Sequence, residues 1–343
     1  MSRNAYQGIE KNTARELETM RKAQDGKLII TDYQQRSCAF LISGGRLVSG
    51  AVILSDDINP GDIVIAIIKD VKKDIGAAFI EYSEGKDGYL PLELTISPET
   101  LKQGDLVPVS IKARAQKGKR AKFTSLIDYG KYENGDELKE RANHLSKFNY
   151  LYKSDSYITD TIANICDAGE FEEIITDKHE VYEQLSALYQ NVRLYQDESF
   201  SLSKLYSIET AVSDCLSRQV YLKCGGYLIF DHTEAMTVID VNSGKYSPPK
   251  KTDRESAYFN VNKEAAVEIC RQLRARNISG IIIVDFINIQ SREKREEIIG
   301  ILRKESSSDI QPVTIVDFTG LGLAEITRKK SLPSLYEQLK AAR

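Results

Sequence analysis

The chain has 343 residues, 41% hydrophobic and 28% charged, which is enough apolar material for one large or several modest domains. The formal net charge of -3 argues against nucleic-acid binding, because phosphates are neutralised by clustered lysine and arginine, although local clusters can override the total. The N-terminus has no apolar signal-peptide core, and no stretch reaches the ~18 apolar residues of a membrane span. We therefore expect a cytoplasmic protein that does not associate with a membrane.

The first 130 residues predict a polar leader followed by short strands. Residues 1–26 form the leader, and residues 27–48 contain the strand patterns KLIITDY and CAFLISGG. Residues 49–130 begin with VSGAVILSD and carry about five further strand patterns, separated by turn sequences such as N-P-G-D and E-G-K-D-G. This spacing fits a small closed barrel of the OB type.

The remaining residues predict a linker and then alternating helices and strands. Residues 131–147 are the polar linker, residues 148–218 contain three helix patterns and the strand EEIITD, and residues 219–343 form the last part. That part begins with a hairpin, GGYLIFD and AMTVIDVNSG, followed by a helix, the apolar strand IIIVDFINI, a charged helix and the strand PVTIVDF. The three helix patterns are Ile158, Ile162 and Ile165; Val181, Leu185 and Leu188; and Leu205, Ile208, Val212 and Leu216.

Two aspartates in the last part are candidate metal ligands. Asp285 lies inside IIIVDFINI on the predicted strand face of four isoleucines, where burial of an unpaired carboxylate is costly. An ion pair, backbone donors or a divalent cation could each offset that cost. Asp240 and Asn242 share one face at the end of the strand TVIDVN, although Asn242 could instead end the strand with an Asx turn. Taken together, the two strands favour a cation.

Oxygen ligands indicate Mg²⁺, with Mn²⁺ as the second choice. Zinc is not expected, because the five cysteines form no C-x-x-C pair and the three histidines have no H-x-x-x-H spacing. Such a cation activates water and neutralises charge at a phosphodiester, which predicts metal-dependent hydrolysis. No G-x-S-x-G motif, P-loop or Rossmann glycine motif between a strand and a helix indicates another chemistry.

The predicted barrel also contains candidate RNA-binding residues. Phe79 and Tyr89 could stack on unpaired bases, or could belong to the barrel core. A basic hairpin could follow a phosphate backbone, or could be a solvated tip. Its six cations lie within eleven residues: Lys112, Arg114, Lys117, Lys119, Arg120 and Lys122. A second basic set, which could equally form solvated helix faces, contains Arg271, Arg274, Arg276, Arg292, Lys294, Arg295, Arg328, Lys329 and Lys330.

Four stretches resemble the bacterial ribonuclease E/G family. GAAFIEYSEGKDGYLPL is similar to the RNA-binding barrel of these enzymes, and the other three are similar to their catalytic subdomain: FDHTEAMTVIDVNSGKY, NKEAAVEICRQLRARNISGIIIVDFINI and FTGLGLAEITRKKSLPSL. The resemblance implies an α+β multi-subdomain fold. A ribonuclease H-like subdomain (27–48 and 148–218) is interrupted by the OB-type barrel (49–130), and a deoxyribonuclease I-like α/β catalytic subdomain (219–343) follows.

The resemblance further implies an endoribonuclease that cleaves single-stranded, A/U-rich RNA in rRNA processing or mRNA decay, leaving a 5′-phosphate and a 3′-hydroxyl. It places the catalytic roles on Asp240, Asn242 and Asp285, with the two aspartates as magnesium ligands. It also places base contacts on Phe79 and Tyr89 and an RNA contact on Lys117. The alternatives are a non-catalytic, ribosome-associated RNA-binding protein that keeps the fold, and a deoxyribonuclease.

Three departures from the family pattern qualify these expectations. Residues 131–147 replace the segment that carries the family's 5′-monophosphate sensor, so 5′-end sensing by that pocket is not expected. The family's C-P-x-C zinc link and small domain are not found, so a zinc-linked assembly is not expected, and a homo-oligomer would need another contact. The leader 1–26 matches no part of these enzymes.

Overall fold

The computed structural model describes residues 26–53, 58–113, 115, 119–132, 134–144, 146–154, 157–167, 170–246 and 253–340. The predicted leader, apart from Gly26, and the candidate residues Arg114 and Lys117 lie outside this described part. The chain divides into two units, Met1–Ile53 with Thr159–Arg343, and Leu54–Ile158. No helix in the described ranges is long and apolar enough to span a bilayer.

The described chain begins with eight strands, and helices and further strands follow. The strands are β1 (Lys27–Tyr33), β2 (Arg36–Ser43), β3 (Arg46–Val52), β4 (Ile63–Lys72), β5 (Ala77–Ser83), β6 (Lys86–Pro91), β7 (Leu106–Ala113), β8 (Ala121–Thr124), β9 (Tyr150–Tyr152), β10 (Glu173–Thr176), β11 (Val192–Leu194), β12 (Gln219–Tyr221), β13 (Tyr227–His232), β14 (Met236–Asn242), β15 (Gly280–Asp285), β16 (Val313–Phe318) and β17 (Leu323–Arg328). The helices are α1 (Gly135–Arg141), α2 (Tyr157–Ile165), α3 (His179–Ser186), α4 (Leu202–Leu205), α5 (Ile208–Leu216), α6 (Arg254–Ala275), α7 (Arg292–Ser306) and α8 (Leu335–Lys340).

The unit Leu54–Ile158 contains a closed five-stranded barrel. The strand order is β5-β6-β8-β7-β4, and pairing of β4 with β5 closes it. Alternate residues such as Ile80, Leu90 and Phe123 fill the interior. Gly88 allows close packing there, because a Cβ at this position would lie 2.4 Å from the Phe123 ring. The predicted OB-type barrel is therefore confirmed as a closed five-stranded barrel.

The other unit contains a five-stranded sheet in the order β11-β10-β1-β2-β3. Strands β1 to β3 form an antiparallel meander, whereas β10 and β11 run parallel to β1. β3 contains the start of the VSGAVILSD pattern that we assigned to the barrel, but it pairs with β2, and β4 is the first barrel strand. Phe40 of β2 packs in a core with Leu202, Val212 and Leu335 from three helices.

The third predicted helix is wrong as a single element. The structure has two helices, α4 and α5, because Ser207 between them adopts a left-handed conformation with φ of 50°. That conformation cannot continue an α-helix. Consequently Leu205 is exposed, although the 3-4 spacing had predicted it on the buried face.

The same unit contains a six-stranded sheet in the order β12-β13-β14-β15-β17-β16. Only β14 and β15 are parallel neighbours, because the long helix α6 connects them as a crossover. Helices α6 and α7 cover one face, where Ile239, Ile282 and Val284 are fully buried. Strand β17, which overlaps GLGLAEIT, was not predicted, and it lies between β15 and β16.

The opposite face of this sheet is open. Ile281 is 48% exposed and Met236 is 37% exposed, although both lie on central strands. The expectation that IIIVDFINI is a buried strand therefore holds for only one of its two faces. A continuous apolar run does not reveal how many of its faces are covered, and helices cover only one face here.

Candidate active site

Asp240 and Asp285 lie side by side on the open face of the six-stranded sheet. They are register partners on the parallel strands β14 and β15, and each lies near the carboxyl end of its strand. Paired residues in neighbouring strands project to the same face from backbones about 4.8 Å apart. Neither carboxylate makes an ion pair with another described residue. The two carboxylates therefore lie next to each other, and no lysine or arginine of the described residues neutralises them.

The burial expected for Asp285 is wrong, because both aspartates are exposed. The core side of β15 carries Ile282 and Val284, and the side of Asp285 is the uncovered side. Desolvation therefore gives no argument for a cation here. Two neighbouring carboxylates nevertheless repel each other, and a divalent cation between them would convert that repulsion into attraction.

Asn242 extends this pair by one step along β14. It lies two residues beyond Asp240, on the same face, and its amide Nδ2 donates a hydrogen bond of 2.7 Å to Oδ2 of Asp240. The amide thereby fixes the orientation of that carboxylate. The structure brings all three predicted residues together.

The donor set fits a hard cation that keeps part of its water shell. Among the described residues, no three aspartate, glutamate, histidine or cysteine side chains converge in a group that could hold a metal. Mg²⁺, however, is commonly bound by only one or two carboxylates and completes its shell with water and substrate phosphate. Asp240 and Asp285 are the residues that would hold it.

Apolar and aromatic side chains border the carboxylates. Ile229 of β13 is the partner of Asp240, and Leu323 of β17 is the partner of Asp285. Tyr227 is the partner of Asn242, and Tyr221 of β12 is in turn the partner of Tyr227. Sequence reasoning missed these tyrosines. The alternation of the hairpin strand, with buried Leu228 and Phe230 between its other residues, was the signal that could have found Tyr227.

The two aromatic candidates of the barrel form a row on its outer surface. Phe79, Tyr89 and Lys122 are register partners across β5, β6 and β8. All three are half-buried, while their chain neighbours such as Ile80 and Leu90 fill the interior. The two rings lie 6.3 Å apart between centroids. Since Phe79 and Tyr89 face outward, the core alternative does not hold for either ring.

Two of the described cations of the basic hairpin, Arg120 and Lys122, lie beside this row. Lys112 and Lys119 are exposed, and Lys122 is the neighbour of Tyr89. The Arg120 guanidinium lies 4.7 Å from the centre of the Phe79 ring and 3.9 Å from the Asp87 carboxylate. Aromatic faces flanked by cations are the usual composition of a surface that binds single-stranded nucleic acid.

Much of the second basic set has a structural role. Arg271 binds Glu268 and the Leu47 carbonyl, and Arg274 binds Glu170. Arg276 and Arg328 are buried, with Gln272 and Asp309 among their respective partners. Neither the solvated-face interpretation nor a phosphate-binding role fits these four arginines. Arg292, which pairs with Glu296, is a solvated helix residue as expected.

Comparisons with known proteins find similarity to ribonucleases E and G. The sequence pattern described as "Ribonuclease E/G family" matches residues 103–331, a range that includes Asp240, Asn242 and Asp285 but not Phe79 or Tyr89. Ribonuclease G of Salmonella typhimurium (strain SL1344) is 43% identical over 131 residues, covering 38% of this chain and 26% of that protein. Ribonuclease E of Nostoc sp. (strain PCC 7120) is 43% identical over 132 residues, covering 38% and 19%.

These alignments span about a quarter or less of the ribonucleases they match, as 26% and 19% show. A solved structure of an uncharacterized protein from Methanocaldococcus jannaschii is 26% identical and covers 20% of this chain and 92% of its own. Its TM-score is 0.18, so that likeness carries no weight for the fold.

Proposed function

The chain belongs to the ribonuclease E/G family, and we propose that it is a divalent-metal-dependent endoribonuclease that cleaves single-stranded RNA in RNA processing or decay. The observation that carries the proposal is the pairing of Asp240 with Asp285 at one edge of an open sheet face. Their accessibility supports it, since a phosphodiester must reach the reacting groups.

Each of the three residues has a role in this proposal. Asp240 and Asp285 would hold the cation, and Asn242 fixes the orientation of the Asp240 carboxylate through the 2.7 Å hydrogen bond. When bound, a divalent cation lowers the pKa of a water molecule and neutralises charge that develops on the phosphate. Attack by water on the phosphorus with departure of the 3′-oxygen leaves a 5′-phosphate and a 3′-hydroxyl. We propose Mg²⁺ over Mn²⁺, A/U-rich RNA and a cytoplasmic location as the finer parts of this hypothesis.

The sheet orders support the finer architecture that the family resemblance implied. We propose that residues 27–48 and 148–218 form a ribonuclease H-like subdomain, since three antiparallel strands are followed in the same sheet by two parallel ones. Residues 49–130 would be the barrel, 131–147 the linker and 219–343 a deoxyribonuclease I-like subdomain. The helix-covered six-stranded sheet supports the last assignment.

A cleavage assay separates this hypothesis from its alternatives. We expect the protein to cut end-labelled single-stranded RNA in the presence of Mg²⁺, and expect EDTA to abolish the reaction, because it removes the cation that activates water and neutralises the phosphate. DNA of equal sequence, analysed in parallel on denaturing gels, should stay intact. RNA binding without cutting would favour the non-catalytic RNA-binding protein, and equal cutting of DNA would favour a deoxyribonuclease.

The row of Phe79, Tyr89 and Lys122 on the outer surface of the barrel gives a second prediction. Replacing Phe79 with alanine removes one stacking surface, so we expect the affinity for single-stranded RNA to fall about 5- to 150-fold, from about 1–3 kcal/mol per stacked base. Fluorescence anisotropy in EDTA measures binding without cleavage. Ile96→Ala, which removes an exposed apolar side chain outside the row, is the matched control. Unchanged affinity in Phe79→Ala would show that the Phe79 ring does not contribute to RNA binding.

A further inference from the structure

Two tyrosines form an aromatic pair beside the carboxylates of the six-stranded sheet. Tyr221 and Tyr227 are register partners, with ring centroids 6.3 Å apart and planes inclined by 60°. Tyr227 is also the register partner of Asn242. Tyr221 therefore lies only two strand spacings, about 10 Å, from the backbone of Asn242.

Neither ring packs in the interior of the protein. The intervening residues Val220 and Leu228 point into the core below the sheet, so both tyrosines project from the open face. Tyr221 is 74% exposed, whereas the next most exposed aromatic side chains in the described ranges, Phe200 and Tyr336, are 47% and 46% exposed. Packing of the sheet does not account for this exposure.

The turn after β14 holds the Tyr227 ring in position. Gly244 has a φ of 53°, and a Cβ at this position would lie 3.0 Å from Cδ1 of Tyr227 and 2.6 Å from the Gly225 carbonyl oxygen. The N-S-G sequence that follows the carboxylate strand thus places backbone against the edge of the ring. A preformed ring loses little entropy when a ligand stacks on it.

Two exposed lysines border the aromatic pair. Lys223 lies in the turn between β12 and β13, and Lys245 lies in the turn after β14, where its N–H donates a 3.0 Å hydrogen bond to the Gly225 carbonyl. Neither ammonium group makes an ion pair with another residue in the described part of the chain. Both cations are therefore available to an anionic ligand at this end of the sheet.

We propose that Tyr221 and Tyr227 form a base-stacking subsite for the nucleotides next to the cleaved phosphodiester. This inference rests on the proposed ribonuclease function. Lys223 and Lys245 neutralise the phosphates on either side of the stacked bases. Stacking accepts any base, but it requires bases that are not paired, so this subsite selects for single-stranded substrate at the point of cleavage.

The charges favour RNA over a second copy of this chain as the occupant. The cores of protein interfaces are depleted in charged residues, lysine in particular, whereas here two lysines lie in the adjacent turns and two aspartates lie on the same sheet face as the aromatic pair. That mixture suits a polyanion whose phosphate approaches a cation held by the aspartates.

The kinetic test compares Tyr221→Ala, Tyr221→Phe and Met236→Ala in the whole chain on single-stranded RNA. Tyr221→Ala should raise KM about tenfold with kcat nearly unchanged, because stacking contributes equally to the bound substrate and the transition state. Tyr221→Phe, which keeps the ring, should restore the KM of the original protein. Met236→Ala removes an apolar side chain at the other end of the same open face and should leave KM unaltered.

A binding measurement keeps the inference testable even if no cleavage is found. RNA that carries 2-aminopurine at successive positions should lose fluorescence on binding in EDTA at one or two neighbouring positions, and Tyr221→Ala should abolish that loss. If the unsubstituted protein does not cleave RNA, the proposed function fails. The quenching measurement still tests whether RNA bases stack on Tyr221. An unchanged KM together with unchanged quenching in Tyr221→Ala would overturn the inference. So would conversion of a dimer to a monomer by Tyr221→Ala with RNA binding intact.

Discussion

Replacing Asp285 or Asp240 with asparagine is expected to lower kcat for RNA cleavage about a thousandfold or more. A bound cation contributes several kcal/mol to the stabilisation of a phosphoryl transition state, and about 4 kcal/mol corresponds to that factor. An asparagine keeps the shape of the side chain but removes the negative charge that holds the cation. Because the two aspartates act on one ion, the double variant should be hardly slower than either single variant.

The same substitutions should leave the fold intact, which makes their kinetic effect interpretable. Both carboxylates are exposed, and removing one of two neighbouring like charges should leave the midpoint of thermal unfolding unchanged or slightly raised. Glu234→Gln, which neutralises an exposed carboxylate in the turn at the other end of β14, is the control and should cleave normally. Cleavage that persists in both aspartate variants would refute the assignment of the site.

The proximity of the two aspartates could be predicted from the sequence because it follows from the order of strands and helices along this part of the chain. A strand, a long helix and a second strand form a parallel crossover unit, which brings the ends of both strands to one edge. The exposure of Asp285 could not be predicted in this way. It depends on which face of the sheet the helices cover, and the apolar run around Asp285 is compatible with one covered face or two.

Other features depend on contacts between distant parts of the sequence. Tyr221 and Tyr227 are recognisable as a pair only once the register of their strands is known. The break at Ser207 depends on a left-handed backbone conformation that the 3-4 spacing of apolar residues does not reveal. Strand β17 has a weak local signal, and its position between β15 and β16 is a property of the assembled sheet.

The structural role of Arg328 is another feature that the local sequence pattern does not reveal. Loss of its ion pair is the substitution effect that we expect to lower the free energy of unfolding most. Arg328 follows GLGLAEIT in a basic stretch, yet its side chain is 2% exposed, and the partner Asp309 is 6% exposed. Two hydrogen bonds, of 2.8 and 3.0 Å, join the guanidinium to the carboxylate. A third, of 2.8 Å, reaches the side-chain oxygen of Asn277 just after α6. The pair thus ties strand β17 to the loop before β16 and to the end of the long helix.

Asp309→Ala is therefore expected to lower the free energy of unfolding by about 3–5 kcal/mol, because it leaves a buried guanidinium without its counter-charge. Chemical denaturation followed by circular dichroism measures the change. Asp231→Ala is the matched control, since Asp231 also makes two hydrogen bonds with an arginine, Arg218, but the two side chains are 54% and 68% exposed. Water already solvates that pair, so its loss should leave the free energy of unfolding nearly unchanged. Equal effects of the two substitutions would show that burial does not determine the strength of the Arg328 contact.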